Sequence, residues 1–169
     1  LVDRVIPMLP ERLSNTLCSL QPQQDRLTFS CIMDITEEGD VTDYQIIPTI
    51  INSNKRFTYE EVQEIFNSDS DDILTKKLKI MYNLSKTLTK RRLEEGSIDF
   101  ETPEVVFDLD KKGFPIEIRR KERLDSHRLI EEFMLLANKT IAQHILKITP
   151  QREKLPFIYR VHEKPDPEK

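Results

Sequence analysis

Residues 125–147 read DSHRLIEEFMLLANKTIAQHILK, and this stretch carries the longest apolar stripe in the sequence. Its apolar residues recur every three or four positions, which is the period of a helix with one buried face. They are Ile130, Phe133, Met134, Ala137, Ile141, Ile145 and Ile148. Asp125 or Ser126 is expected to cap the first turn, and Pro150 ends the pattern. We therefore predict a long helix that forms the centre of the core.

Two β-hairpins are predicted elsewhere in the chain, because pairs of short alternating segments flank turns that contain a glycine. The segments are 26–35 with 41–51, and 105–110 with 115–120. In the first segment, alternation places four apolar side chains on one face: Leu27, Phe29, Cys31 and Met33. Pro48 has no amide hydrogen to donate, so we expect it at a bulge or on an unpaired edge.

Two further helices are predicted between the hairpins. Thr58 with Glu61 three residues later forms a capping box for a short helix. A longer helix runs over residues 72–95, with Gly96 as its C-terminal cap, and it is expected to bury Leu74, Leu78, Met81, Leu84 (or Ser85) and Leu88. A last strand at 157–162 completes the order β-β-α-α-β-β-α-β. This order predicts a mixed α/β fold within a single partial domain, residues 1–169.

Composition narrows the possible classes of protein. The 169 residues are 37% hydrophobic and 33% charged, which is typical of a globular domain. The net charge of −4 argues against a protein that holds nucleic acid by overall charge alone. The longest apolar runs of the sequence are short, so we expect neither a membrane-spanning segment nor a signal peptide. Cys18 and Cys31 are predicted to be buried thiols in a reducing compartment, with a disulfide as the less favoured alternative.

The acidic residues suggest few metal sites. Asp69, Asp71 and Asp72 lack the glycine and the glutamate of a calcium loop, so we interpret them as a helix-capping loop. Asp108 and Asp110 share one face of a strand, and a solvent-exposed edge is favoured over a metal site for them. Glu131 and Glu132 point about 100° apart on a helix, a poor arrangement for chelating one ion. Taken alone, that pair is interpreted as exposed or salt-bridged, although one member can face a cleft.

Other candidate residues are equally open to a structural interpretation. The three histidines stand far apart, and neither a nucleophile motif nor an activated cysteine is evident. The basic clusters 90–92 and 119–123 can hold phosphates, but exposed helix and strand ends are the favoured interpretation. Four aromatic residues near the ends of elements can either stack on bases or pack in the core: Phe57, Tyr59, Phe100 and Phe107. For Phe100, core packing is preferred.

Several motifs, taken in order, resemble one enzyme family. Residues 6–22 read IPMLPERLSNTLCSLQP and residues 127–138 read HRLIEEFMLLAN. Residues 57–62 read FTYEEV and residues 160–165 read RVHEKP. Taken in the order of the chain, these four motifs resemble the central part of the RNB catalytic domain in the ribonuclease R and ribonuclease II family. The resemblance covers essentially the whole chain.

This resemblance implies a processive 3′→5′ exoribonuclease that hydrolyses single-stranded RNA to nucleoside monophosphates in the cytoplasm. The family uses Mg²⁺ held by aspartates upstream of the IPMLP motif, and we expect these aspartates to precede residue 1. This fragment is therefore expected to be inactive, to bind no metal and to contain no catalytic residue. A downstream RNA-binding domain is likewise expected outside it. The partner that the resemblance implies is single-stranded RNA, with no membrane and no obligate protein partner.

The resemblance also implies four RNA-binding residues. Tyr59 resembles a tyrosine that contacts the 3′-terminal nucleotide, and Phe107 matches an aromatic that stacks on the last base. Glu131 and Glu132 resemble a helix acid that bonds a terminal ribose or base, with a slight preference for Glu132. Two alternatives are a non-catalytic RNA-binding or scaffold domain with the same fold, and an interaction domain with no RNA role.

Overall fold

A computed structural model describes residues 5–99, 105–149 and 156–158, and its elements follow the predicted mixed α/β order. After a short helical segment, Arg12–Leu17, these residues form β1 (Asp25–Ile35), β2 (Val41–Asn52), α1 (Tyr59–Asn67), α2 (Ile73–Glu94), β3 (Val105–Leu109), β4 (Pro115–Arg120) and α3 (Asp125–Ile148). Of the predicted last strand, Phe157 and Ile158 lie in neither helix nor strand. The rest of that strand, Phe100 and Pro150 lie outside the described residues.

The first hairpin is a regular antiparallel pair of β1 and β2. Gly39 in its turn has φ +88°, which glycine adopts without the steric cost of a side chain. Pro48 lies in register opposite Phe29, whereas the irregularity in the pairing falls between Asp34 and Ile35. Within the described ranges β2 pairs with β1 alone. Pro48 therefore lies on an unpaired edge, as one of the two predicted alternatives had it.

The three helices pack against one another and form the core of the described chain. The capping box at the start of α1 is confirmed, since Glu61 N donates to Thr58 Oγ1 at 3.2 Å and Thr58 N to Glu61 Oε2 at 2.7 Å. Among the described apolar residues, Leu88 of α2 and Leu129 of α3 are buried, with 8% and 3% of their surface exposed.

The buried face of α3 differs from the predicted one. Ile130 and Met134 were expected inside, yet 43% and 58% of their surfaces are exposed. Leu129, Glu132 and Thr140 are buried instead. The face towards α2 is thus turned by about one residue, or roughly 100° around the helix axis. The reason is that Glu132 enters the interface with its charge compensated, which hydrophobic periodicity does not reveal.

The buried face of α2 was also predicted only in part. Leu88 and Ser85 are buried, but Leu74 is exposed, so its predicted burial was wrong. Thr75, the next residue, is buried in its place. Asp72 accepts hydrogen bonds from the amides of Leu74 and Thr75, and also from Thr75 Oγ1 at 2.6 Å, which satisfies the polar atom of this buried side chain.

The first hairpin contacts the helices through its turn and through one end of its apolar face. The turn lies against α2, where Gly39 approaches Leu88 closely. Further along, Tyr44 Oη and His144 Nδ1 of α3 form a hydrogen bond of 3.3 Å. The far end of the same face is uncovered, with Leu27 84% exposed. The four apolar residues of β1 therefore share a face that is covered by the helices over only part of its length.

Both cysteines are free thiols. Cys18 is exposed, so the prediction that it is buried was wrong. Its exposure follows from its place directly after the short helical segment, which contains no buried residue. Cys31 is half-buried in β1, and burial raises the pKa of its thiol.

Candidate functional site

Glu132 is a buried carboxylate at the interface between α2 and α3. Only 4% of its side chain is exposed. Arg92 of α2 donates to Glu132 Oε1 from Nε at 3.0 Å and from Nη2 at 2.8 Å, and Thr89 Oγ1 donates to the same oxygen at 3.0 Å. Because a buried charge must be compensated, these bonds explain how an acidic residue occupies the core. Glu132 thus joins α2 to α3.

Glu131, the other member of the acidic pair, is more accessible. Its side chain is 38% exposed and forms ion pairs with two arginines. Arg123 Nη2 lies 2.5 Å from Glu131 Oε2, and Arg92 Nη2 lies 3.5 Å from Glu131 Oε1. The favoured interpretation of the acidic pair as salt-bridged is confirmed for both residues. Of the two, Glu131 is the one that solvent reaches.

A third carboxylate, Asp99, extends this arrangement. Arg123 Nη1 donates to Asp99 Oδ1 at 2.6 Å, and Arg128 Nη2 lies 3.3 Å from Asp99 Oδ2. Three arginines and three acids are therefore connected. We call them the charged cluster: Arg92, Asp99, Arg123, Arg128, Glu131 and Glu132.

Three groups of the charged cluster have pKa values shifted towards the charged form: Arg92, Asp99 and Arg123. The hydrogen bond from Arg123 lowers the pKa of Asp99, although desolvation opposes it. The hydrogen bond to Glu132 raises the pKa of Arg92, and that to Asp99 raises the pKa of Arg123. For these three groups, the hydrogen bond to an oppositely charged partner favours the charged form. The sequence analysis interpreted the basic clusters that contain Arg92 and Arg123 as exposed ends of a helix and a strand. In the structure, these two arginines instead form ion pairs with the acidic pair.

The first turn of α3 is not capped as predicted. Leu124 occupies the N-cap position, and its side chain has no oxygen to offer. Asp125 instead accepts a hydrogen bond of 2.5 Å from Tyr82 Oη of α2. The backbone amide of Ser126 donates to Gln63 Oε1 of α1 at 3.3 Å. Tertiary contacts with two other helices thus replace the local cap that the sequence suggested.

Tyr59, the first residue of α1, also contacts this turn. Its ring stacks on the ring of His127, with centroids 3.9 Å apart and an angle of 14° between the planes. Tyr59 remains 42% exposed, so solvent still reaches part of this residue. Since His127 lies one turn before Glu131, Tyr59 and Glu131 lie near the same end of α3.

Phe107, the fourth predicted RNA-binding residue, lies in the second hairpin. It pairs with Ile118 of β4 and is half-buried. No hydrogen bond, ion pair or ring contact joins it to the charged cluster among the described residues. Its neighbour Asp108, which was expected at an exposed edge, forms a two-point ion pair with Arg119 at 2.6 and 2.7 Å. That contact lowers the pKa of Asp108.

The remaining acidic candidates have structural roles. Asp72 caps α2, which confirms the interpretation of its loop, and hydrogen bonds from Ser70 and Thr75 hold its pKa far below the usual range. Asp110 accepts bonds from the amides of Lys112 and Phe114 in the second turn. Throughout the described ranges, no three histidine, cysteine or acidic residues are grouped so that they can hold a metal ion.

A groove of about 390 Å³ lies between α2 and α3 beside the charged cluster. It is lined by Tyr82, Lys86, Thr89, Lys90, Leu93, Glu94, Asp125 and Arg128. Thr89 connects this groove to Glu132. Sequence reasoning did not predict this groove, because residues from two helices line it.

Among the described helices, none is long and apolar enough to cross a membrane.

Comparison with known proteins gives a consistent result. Ribonuclease R 1 of Lactococcus lactis is 45% identical over 168 residues, which are 96% of this chain and 20% of that protein. Ribonuclease R of Thermotoga maritima is 43% identical over 173 residues, covering 99% of this chain and 24% of that protein. The chain thus spans about a fifth to a quarter of the length of these curated relatives.

Solved structures agree with these relatives. The apo form of Mycoplasma genitalium RNase R superposes with a TM-score of 0.77 at 33% identity, over 85% of this chain and 23% of that one. The same enzyme in complex with ribose methylated single-stranded RNA gives the same TM-score. The profile of the RNB domain matches residues 1–169. With its whole length matched by that profile, the chain belongs to the RNB domain family.

Proposed function

We propose that this chain is the middle part of the catalytic domain of a processive 3′→5′ exoribonuclease, and that its charged cluster contacts the 3′-terminal nucleotide of single-stranded RNA. Membership of the RNB family and relatives named ribonuclease R support the activity. The RNA complex of the Mycoplasma genitalium enzyme supports the ligand. A cytoplasmic location belongs to the same proposal.

The observation that carries the site is Glu131, an accessible carboxylate held by two arginines. An ionised carboxylate only accepts hydrogen bonds, and the last ribose of an RNA has two neighbouring hydroxyl donors, at the 2′ and 3′ positions. Glu131 can accept from both. DNA lacks the 2′ donor, so the contact distinguishes RNA from DNA. Arg92 and Arg123 hold this carboxylate in place through their ion pairs.

Glu132 has a supporting role in this proposal. Its burial against Arg92 and Thr89 leaves it little surface for a ligand, so the sequence-based preference for Glu132 over Glu131 is reversed here. Tyr59 and Phe107 remain predicted RNA contacts. The partial exposure of Tyr59 supports a contact between its aromatic ring and a base, whereas the prediction for Phe107 rests on the resemblance alone.

The described residues do not fit a Mg²⁺ site. The acids of the charged cluster share their oxygens with arginines, and Asp72 and Asp110 cap backbone amides. We propose that Mg²⁺, as the resemblance implies, is held by aspartates upstream of these 169 residues. We accordingly expect the 169 residues to bind RNA without hydrolysing it.

The test compares oligonucleotides that differ only in the last sugar. Binding of an RNA and of the same RNA ending in a 2′-deoxynucleotide is measured by fluorescence anisotropy, with Glu131→Gln and the exposed control Glu64→Gln. A hydrogen bond to a charged group corresponds to a factor of about ten or more in affinity. We expect wild type and the control to prefer the ribose end by about that factor, and Glu131→Gln to lose the preference.

Two results would contradict the proposal. One is equal affinity of the wild type for both ends. The other is an unchanged preference in Glu131→Gln. Release of nucleoside monophosphates in Mg²⁺ by the purified 169 residues would show that the expected inactivity was wrong. Binding without any end preference would instead favour the non-catalytic RNA-binding alternative.

A further inference from the structure

The start of α3 depends on side chains from other helices. Most helices begin with a residue whose side-chain oxygen bonds a free amide of the first turn. At α3 the N-cap residue is Leu124, which cannot do so. Leu124 N itself donates to His127 Nδ1 at 3.2 Å, so the histidine ring bonds the backbone just before the helix. In the first turn, His127 N bonds the carbonyl of Leu124 at 3.1 Å, whereas the amide of Ser126 is left to be bonded from elsewhere.

Gln63 of α1 supplies one such bond. Its Oε1 accepts from the backbone amide of Ser126, the second residue of α3, at 3.3 Å. Gln63 lies one turn after Tyr59, whose ring stacks on His127. The same face of α1 therefore holds two consecutive residues of α3, one by its backbone and one by its ring.

The first turn is connected to the acidic pair through the helix backbone. In an α-helix each amide donates to the carbonyl four residues earlier, so Glu131 N bonds the carbonyl of His127. Fraying of residues 125–127 removes that bond. Glu131 then loses its backbone position, whereas Glu132 remains attached to Arg92 of α2. A cap on Ser126 thus affects the accessible acid more than the buried one.

From these contacts we infer that Gln63 is a positioning residue, which caps α3 from α1 and so fixes Glu131 in the orientation that binds the terminal ribose. Its effect on RNA rests on the function proposed above, but its effect on the helix does not. Gln63 touches neither acid of the pair in this role. It acts through the amide of Ser126 and the first turn.

Three variants separate capping from loss of stability. Gln63→Leu keeps the size of the side chain but removes the acceptor. Gln63→Glu keeps an acceptor, and its negative charge suits the N-terminal end of a helix. Gln143→Leu, at an exposed position near the other end of α3, is the matched control. Thermal unfolding of each variant establishes that it is folded before the other measurements.

The first readout needs no ligand. Hydrogen exchange of the Glu131 backbone amide, followed by NMR, is expected to be about fivefold faster in Gln63→Leu, the factor for a lost cap of ordinary strength. Gln63→Glu and Gln143→Leu are expected to exchange at the wild-type rate. Unchanged exchange in Gln63→Leu would overturn the inference, whatever the RNA measurements give.

The second readout is the preference for a ribose over a deoxyribose end. In Gln63→Leu we expect this preference to be about fivefold smaller, while the affinity for the deoxy-ended RNA stays at the wild-type value. In Gln63→Glu we expect the wild-type preference. If Gln63 had a merely structural role, Gln63→Leu would lower the affinity for both RNAs equally. That result would also overturn the inference. If the wild type shows no preference, the proposed function fails, and the exchange measurement still decides the capping role.

Discussion

The ion pair between Arg92 and Glu132 should stabilise the domain far more than the exposed ion pairs on the same helix. Glu132 is 4% exposed and Arg92 24%, and two of the guanidinium nitrogens bond one carboxylate oxygen. Removing one partner of a buried pair typically costs about 3–5 kcal/mol, because the other charge is left without compensation. Glu131, 3.5 Å from Arg92, provides a second partner and moves the value to the lower end.

We therefore expect Glu132→Ala to lower the free energy of unfolding by about 3 kcal/mol. In a double-mutant cycle with Arg92→Met, the coupling energy is expected to be about 2 kcal/mol. The matched control is the pair Lys90–Glu94, whose side chains are 78% and 66% exposed and whose charged atoms are 3.8 Å apart. Its coupling energy is expected to be at most about 0.5 kcal/mol.

The measurement is urea unfolding followed by circular dichroism for each variant of both cycles, after confirming that the transitions are two-state. Equal coupling in the two cycles would refute the reasoning, since it would mean that burial adds nothing to the Arg92–Glu132 pair. A loss below about 1 kcal/mol in Glu132→Ala would refute it as well, because that is the range of exposed pairs.

Two other positions give separate predictions. A Cβ at Gly39 would lie 2.8 Å from Leu88 Cδ2, whereas at Gly113, with a similar φ of +85°, it would meet nothing within 4 Å. Gly39→Ala is therefore expected to lower the free energy of unfolding, measured with urea, by about 3 kcal/mol, and Gly113→Ala by about 1 kcal/mol. Equal losses in the two variants would contradict the close contact between Gly39 and Leu88. The hydrogen bond from Arg123 lowers the pKa of Asp99 in the folded protein. The ionised carboxylate therefore stabilises the fold fully above its unfolded pKa of about 3.9. This stabilisation is lost as the pH falls through the lower pKa of the folded state. We expect the melting temperature of Asp99→Asn to fall less steeply than that of the wild type below pH of about 4, and parallel curves would show that the pair contributes nothing.

The helices and hairpins were predictable because their signals are local. Thr58 and Glu61 cap α1 with atoms three residues apart, and Asp72 caps α2 in the same way. The glycine turn of the first hairpin is likewise decided by adjacent residues. Such contacts join residues two or three positions apart, so the sequence alone is enough to predict them.

The site was less predictable, because its contacts join distant residues. Periodicity shows that Glu131 and Glu132 point in different directions, but it does not show that Arg92 and Arg123 meet them there. For the same reason the cap of α3 was misassigned. Asp125 is a good cap by type, yet Tyr82 of α2 engages its carboxylate. A favourable tertiary contact took precedence over the local propensity.

The contact of the first hairpin with α3 has a consequence for folding kinetics. Tyr44 and His144, which join the two, are 100 residues apart in sequence. Closing a chain segment of that length costs more entropy than closing any of the turns, and the cost is recovered only once both surfaces are formed. The hairpin and the helices should therefore form first and meet late. Interactions at Tyr44 then determine mainly how fast the domain unfolds, and hardly how fast it folds.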